Sequence, residues 1–474
     1  MSTYSLKKPY LWKEYLKGTR SASQKSIYTT LVEQEGQYKK PYLFSSHSAS
    51  QSWYAPPMNE LKWPKDGWAP PAPTSYSGQI GLPGQEPIGG AGWEEKRYVF
   101  GAFCSVCASD DDTIYILGRA IGSLGSYDVR LWKSSDKGVS LTVLVPPYVI
   151  PPPLVHSGRW LWARENRVAF IDLYTGESYV FVFFGAVSGN GGLSWTYFEY
   201  EAALSGADRG KYSSFDLGVS GALYVAVGGK PADVPLLTAY CSLTNGASWT
   251  TLSSSFSVTR VNVIEHGNVI NFAFTDEVSS SSTPYTICFA SYDFVTGWSK
   301  KVVYTFPAPI LDLAVDTPDL VRQDNDIYIL NCITTKSEKR LVVRVHHSPD
   351  AGITWETEVV RTIDNLEYAD VVENRRPRIF ITSFGEVVIA YHAFDTRDES
   401  GDLIDTLYMH TKKGTLWSGY MQDLGSVVES TINTAPEETS LIDGYDVGVY
   451  RKNAYFIGSY PNVTNNIWSR LTGL

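Results

Sequence analysis

From about residue 96 onward the chain consists of short runs in which apolar residues alternate with polar ones, each run closed by Gly, Asn, Asp or Ser. This is the pattern of strands and tight turns, with no long 3.6-residue periodicity. Seven segments read as apolar hairpins: FCSVCASDDDTIYILG (103–118), RWLWARENRVAFID (159–172), FDLGVSGALYVAV (215–227), VNVIEHGNVINFAF (261–274), LVRQDNDIYIL (320–330), RIFITSFGEVVIAY (378–391) and YDVGVYRKNAYFIG (445–458). A regular series of hairpins in so long a chain predicts a repeat architecture.

A second repeat runs in phase with the first. SPDAGITW (348–355) has the frame S-x-D-x-G-x-T-W, which returns as SSDKGVSL (134–141), SGNGGLSW (188–195) and SLTNGASW (242–249). HTKKGTLW (410–417) keeps Gly414 and Trp417 in register, and SYDFVTGW (291–298) keeps Ser291, Asp293 and Trp298 with the glycine shifted. The residue types suit a turn. Asp136, Asn190 and Asp350 carry short side chains that hydrogen-bond their own backbone. Gly138, Gly192, Gly246 and Gly352 suit a positive φ. Ser134, Ser188, Ser242, Ser348 and Thr354 add hydroxyls, and Trp195, Trp249 and Trp355 can pack where the next strand begins.

The frame resembles the Asp-box, or BNR repeat, of the sialidase-like β-propellers. That resemblance implies that each frame joins the third and fourth strands of a four-stranded antiparallel blade, on the side away from the ligand, and that its Asp is structural. The expected fold is all-β, a seven-bladed β-propeller over residues 96–474 preceded by an extended arm. Six frames serve seven hairpins, so the last blade is expected to borrow its fourth strand from the segment before Phe103. Seven units of about 54 residues fit the usual propeller size.

Residues 1–95 are of another kind. They hold ten of the 25 prolines and five of the 14 tryptophans, and proline at that density blocks ladders and helices. The expectation is an extended docking arm, with a short helix near Leu11–Lys17, that reaches other subunits of a large assembly through Lys7, Lys8, Trp12, Trp53, Trp63 and Trp68. Residues 1–40 carry eight Lys/Arg against three Glu, while the whole chain of 474 residues has a net charge of −10. The basic stretch reads as a solvated tail or as a match for an acidic surface, and the overall charge argues against nucleic acid. The N-terminus shows no apolar signal core, and no apolar run is long enough to span a membrane.

Candidate chemistry is sparse. The five cysteines (Cys104, Cys107, Cys241, Cys288 and Cys332) do not form a disulfide framework and read as buried thiols. His346 and His347 point to opposite faces of a strand and cannot share a metal. The acidic loop from Asp395 to Asp405 lacks the spacing of a calcium loop. No catalytic residue, cofactor or metal site is assigned. The sialidase-like resemblance calls for an Arg-Ile-Pro motif ahead of the first box, but Arg97 stands in EEKRYVFG, and PRIF (377–380) falls at the start of the sixth hairpin, where Arg378 fits an inner strand.

The main functional expectation is a non-enzymatic structural or attachment protein, part of a bacteriophage virion or otherwise cytoplasmic, with a host glycan or receptor on the propeller face. The alternatives are a glycan-cleaving hydrolase, which needs a pair of carboxylates in the central depression, and an intracellular assembly factor.

Overall fold

The computed structural model describes residues 92–98, 102–109, 113–121, 127–136, 140–150, 155–175, 180–205, 213–228, 236–276, 284–309, 313–367, 377–382, 385–397, 399, 401, 403–427, 446–450, 453–458 and 466–472. The chain divides into two units, residues 1–75 and 76–474. Residues 1–91 of the expected arm, with all its docking residues, lie outside the described residues.

The second unit is an all-β propeller of four-stranded antiparallel blades. Strand β1 (Gly92–Tyr98) belongs to the closing sheet. The first sheet is β2 (Ala102–Ala108), β3 (Ile114–Ile121), β4 (Tyr127–Ser134) and β5 (Thr142–Ile150). The second is β6 (Val155–Arg164), β7 (Arg167–Thr175), β8 (Val180–Ser188) and β9 (Thr196–Ser205). The third is β10 (Ser214–Leu217), β11 (Leu223–Val227), β12 (Leu236–Ser242) and β13 (Thr250–Ser257). The fourth is β14 (Val261–His266), β15 (Val269–Asp276), β16 (Pro284–Asp293) and β17 (Gly297–Pro309).

The fifth sheet has β18 (Leu313–Val315), β19 (Asp319–Gln323), β20 (Asp326–Thr335), β21 (Arg340–Ser348) and β22 (Glu356–Ile363). The sixth is β23 (Arg378–Ile381), β24 (Val387–Arg397), β25 (Leu403–Lys413) and β26 (Leu416–Val427). The closing sheet runs β27 (Asp446–Tyr450), β28 (Asn453–Gly458), β29 (Asn466–Thr472) and then β1.

The expectation of seven four-stranded blades is corrected here: six sheets have four strands and the fifth has five. β18 pairs with the far half of β20 and β19 with its near half. Pro318 lies between them, and a residue without an N–H cannot continue a ladder, so one inner strand becomes two.

First strands adjoin in the order β2, β6, β10, β14, β19, β23, β27 and back to β2. Apolar clusters fill the spaces between successive sheets. One joins Leu131 of the first sheet to Leu161 and Phe170 of the second, another Phe183 to Phe215 and Tyr240, and another Tyr224 to Val263 and Phe272. Further on, Phe289 packs with Ile329, and Val343 with Tyr391. A sheet packed between two others buries both faces, which explains why middle strands such as LYVAV (223–227) are fully buried rather than alternating.

The closing sheet has the composition expected from the unmatched last hairpin. β1 pairs antiparallel with β29 in unbroken register from Gly92↔Thr472 to Tyr98↔Asn466. The strand starts at Gly92, four residues ahead of the boundary expected at residue 96. Deleting residues 467–474 removes nearly all of β29 and opens two sheet edges. The truncated chain is expected to melt at least 10 °C lower than the full chain, or not to fold; calorimetry of the two proteins checks this.

Candidate functional site

Two sets of residues stand out: the turns that carry the repeated frame, and the polar side chains on the first strands, around the axis of the ring.

The turns form a shared hydrogen-bond pattern. Ser348 Oγ donates to Asp350 Oδ1 (2.9 Å) and accepts from Gly352 N (2.8 Å). Asp350 accepts from Thr354 N (2.7 Å) and Thr354 Oγ1 (2.6 Å), and Trp355 Nε1 donates to Gly352 O (3.1 Å). The hydrogen bonds from Thr354 hold the Asp350 carboxyl down at about 2. Ser188, Asn190, Gly192, Ser194 and Trp195 repeat the arrangement. So do Ser242, Gly246, Ser248 and Trp249, with Thr244 where the frame has Asp. Ser134, Asp136 and Ser140 make the corresponding bonds in the first sheet, while Gly138 lies outside the described residues.

Two frames do not form this turn. Asp293 accepts from Val295 N and Thr296 N in a tight hairpin closed by Gly297, and Ser291 bonds Ser299 across the strands. Gly414 (φ 65°) sits in the two-residue turn between paired Lys413 and Leu416, with Trp417 buried behind it. Neither frame has both hydroxyls that close the wider loop, so the ladder runs on to the shortest turn available.

The glycines do more than accept a positive φ. Those of Gly192, Gly246 and Gly352 are 94°, 89° and 93°. A Cβ on Gly246 would come within 2.3 Å of the Phe198 ring, and one on Gly352 within 2.7 Å of Phe289. The turns of the third and fifth sheets therefore press on an aromatic ring of the preceding sheet, where Trp249 and Trp355 also pack, and Gly192 of the second sheet presses on Leu144. These turns also tie neighbouring sheets together, a contact that the sequence reading did not anticipate.

The axial set reaches further. Trp162 Nε1 on β6 donates to Phe215 O on β10 (2.6 Å). Asp216 Oδ2 on β10 accepts from Glu265 N on β14 (2.7 Å). Asn262 Nδ2 on β14 donates to Asp319 Oδ1 on β19 (2.6 Å), and Asp319 Oδ2 accepts from Ile379 N on β23 (2.7 Å). Arg378 Nε lies 3.8 Å from the same carboxylate oxygen. The Arg378 guanidinium stands 5.5 Å from the Phe380 ring centroid and 5.7 Å from that of Trp162. β6 and β23 are not neighbours in the ring, so the last contact crosses the axis. Trp162 and Arg378 both keep some solvent-facing surface, while Asp319 is buried.

Asp216 is wholly buried, and its Oδ1 has no hydrogen-bond partner. Burial pushes its carboxyl up to about 6, against the pull of Arg164 and of the amide of Glu265; the Glu265 carboxylate beside it adds to the rise. Glu265 is held by Ser220 N (3.0 Å) and the Tyr224 hydroxyl (3.4 Å).

Of the residues weighed in the sequence, only Arg378 belongs to this set, and its PRIF context was its signal. Trp162, Asp216, Asn262, Glu265 and Asp319 were missed. Asp216, Asn262, Glu265 and Asp319 are polar positions in otherwise apolar inner strands, which was the available cue, whereas Trp162 sits inside an apolar run and gave none. His346 is buried against Thr357, and His347 stacks on Tyr328 and bonds Asp326, on the opposite side as expected. Cys107, Cys241, Cys288 and Cys332 are buried, as expected of thiols in the interior. The loops at the other edge of the sheets, between second and third strands, are where the resemblance places a ligand, and residues 122–126, 176–179, 229–235, 277–283 and 459–465 of them lie outside the described residues.

No family model matches the chain, and no curated protein sequence matches it. Solved structures similar to it include the BP39L lectin of Burkholderia pseudomallei (10% identity, 79% of this chain and 97% of that one, TM-score 0.46). Another is the GH93 α-L-arabinofuranosidase of Fusarium graminearum, solved with arabinobiose (9% identity, 79% and 93%, TM-score 0.43). A third is AofleA of Arthrobotrys oligospora (13% identity, 71% and 91%, TM-score 0.39). Two of these are by description a glycan-binding and a glycan-cleaving protein. The expectation of a virion attachment protein is corrected on that finding.

Two outcomes follow from the site. Asp216→Asn keeps an acceptor for the Glu265 amide and removes the charge. The folded carboxyl titrates above its ordinary value, so its cost to the fold is absent below about pH 4, grows as pH rises to 6, and is constant above. The variant is expected to be more stable than the parent at pH 8, by on the order of 2 kcal/mol, and equal to it near pH 4; urea melts at both pH values measure this. Gly246→Ala is expected to lose about 2–4 kcal/mol through backbone strain and overlap with Phe198, read from the same melts.

Proposed function

We propose that the protein is a seven-bladed propeller of the Asp-box type that binds glycans at the axis of the ring. The sheet order and the closed succession of first strands support the blade count. The recurrent Ser-Asp-Gly-Thr-Trp hydrogen bonds support the Asp-box assignment.

The glycan reading is carried by one observation: Trp162, Asn262, Asp319 and Arg378 converge from four different sheets. An indole face accepts the C–H face of a pyranose or furanose ring. The planar groups of Arg, Asn and Asp match pairs of adjacent hydroxyls, offering donors and acceptors side by side. A largely apolar recess with a few convergent polar groups is also the usual composition of a small-ligand site. Binding is favoured over cleavage by the state of the axial carboxylates. Asp216 and Asp319 are both engaged by backbone amides of the next sheet, which suits holding strands in place rather than moving a proton.

The test is calorimetric titration of the full chain with arabinobiose, cellobiose and fucosyllactose, with reducing-sugar release followed in parallel. At least one sugar is expected to bind with a dissociation constant in the micromolar to millimolar range. Trp162→Phe and Arg378→Lys are each expected to weaken it tenfold or more; Trp162→Phe also loses about 1–2 kcal/mol of stability with its bond to Phe215 O, so binding is compared at a temperature where both variants are folded. A folded chain that binds none of them refutes the reading, and sugar release would move the assignment to a hydrolase.

A further inference from the structure

In the second to fifth sheets the turn between first and second strands and the turn between third and fourth emerge at the same edge, because neighbouring strands are antiparallel. Bonds across the sheets keep these edges level. Arg167, next to the turn of the second sheet, donates to Gly221 O and Asn245 Oδ1 in the two turns of the third. Arg322 of the fifth sheet does the same to Asn271 of the fourth.

This edge carries the most exposed large apolar side chains among the described residues: Leu193 (85%), Val219 (65%), Leu243 (76%), Val295 (93%), Ile353 (66%) and Leu416 (63%). All six stand in or beside these turns, on the second to sixth sheets. The next most exposed, Val302 and Val359 at 53%, lie on outer strands. Turn positions favour Gly, Asn, Asp and Ser for backbone reasons, and a branched apolar tip contributes nothing to a turn's geometry. Scattered single exposures need no explanation, whereas five consecutive sheets presenting an apolar tip at the same edge do.

The charge on this edge is equally uneven. The turns of the second to fifth sheets (165–166, 189–195, 218–222, 243–249, 267–268, 294–296, 324–325 and 349–355) contain no Lys or Arg. They contain Glu165, Asp324 and Asp350, and Asp293 borders a fourth carboxylate position. The cations nearest to them are Arg164 beside Glu165, Lys133 on Gly191 O, Arg167 as above and Arg322 on Asp324 O and Asn271, and the last three are engaged by these bonds. Lysines return only at the turn of the sixth sheet, with Lys412 and Lys413.

We infer that the turn-bearing edge of the second to fifth sheets is a docking surface for a protein segment that presents apolar side chains flanked by Lys or Arg. The apolar tips supply burial and the carboxylates supply orientation and salt-dependent attraction. A second copy of this chain is a poor occupant, since it would set the same acidic turns against each other. The surface lies away from the expected ligand loops, so a bound partner and a bound sugar do not compete.

The experiment uses the full chain and an 18-residue amphipathic peptide with Leu on one face and Lys on the other, beside the same peptide with Glu for Lys. Binding is followed by fluorescence anisotropy at low and high salt. The Lys peptide is expected to bind saturably, more weakly as salt rises, and at least tenfold more weakly to the L193S/L243S/I353S protein. These three side chains are exposed, so the variant is expected to melt like the parent, and Trp162→Phe is expected to bind the peptide unchanged. Equal binding of the Glu peptide, or undiminished binding by the triple variant, overturns the inference. Self-association that the triple substitution abolishes, or partition onto phosphatidylcholine vesicles that it abolishes, overturns it in favour of a second copy or a lipid surface.

Discussion

The inner edge of each blade is the constraint on which the molecule depends. A first strand has a hydrogen-bonding neighbour on one side only, and around a ring seven such strands face one another with bare amides and carbonyls. Buried backbone groups of this kind are costly unless they are paired. Here side chains of the adjacent strand supply the pairing. The Trp162 indole takes the carbonyl of Phe215, Asp216 takes the amide of Glu265, and Asp319 takes the amide of Ile379. Asn262 and Arg378 then hold the Asp319 carboxylate from either side. The same atoms that satisfy the strand edges place an indole, a guanidinium and two planar oxygen-bearing groups at the axis, so the frame and the candidate site are one structure.

At the outer part of each interface the work is done by a different device. Gly192, Gly246 and Gly352 press onto Leu144, Phe198 and Phe289 of the previous sheet, and Trp249 and Trp355 pack on the same two rings. The apolar clusters between sheets lie between these two sets of contacts. A blade is thereby fixed against its neighbour at both ends, which leaves the intervening aliphatic packing free to vary.

What could be read from the residues divides along the same line. The turns at Ser134, Ser188, Ser242 and Ser348 are local: eight consecutive residues contain every donor and acceptor, so the frame alone specifies the loop. The frames at Ser291 and Gly414 misled because each kept part of the pattern, Ser, Asp and Trp in one and Gly and Trp in the other, while a closing hydroxyl was absent, and the loop collapsed to a tight hairpin. The doubling of the inner strand in the fifth sheet was carried by a single Pro318 in a polar stretch. The axial set was hidden for a stronger reason. Asp216 and Glu265 are 49 positions apart, Asn262 and Asp319 57, and Asp319 and Ile379 60, and no spacing rule connects them before the blades are stacked. Arg378 was noticed only because its neighbours formed a familiar-looking tetrapeptide.

The pairing of β1 with β29 has a bearing on how the ring forms. Every other sheet is assembled from strands that follow one another along the chain, so its loops are short and its entropy of closure is small. The closing sheet alone joins a strand from the start of the ring to one from its end. Six sheets can therefore form and stack in sequence while the ring is still an open arc. The last event is a single long-range pairing that removes both free edges at once. Until then the arc offers two bare strands to any neighbouring chain. Exchange of β1 between two partly folded molecules is the error that this architecture invites.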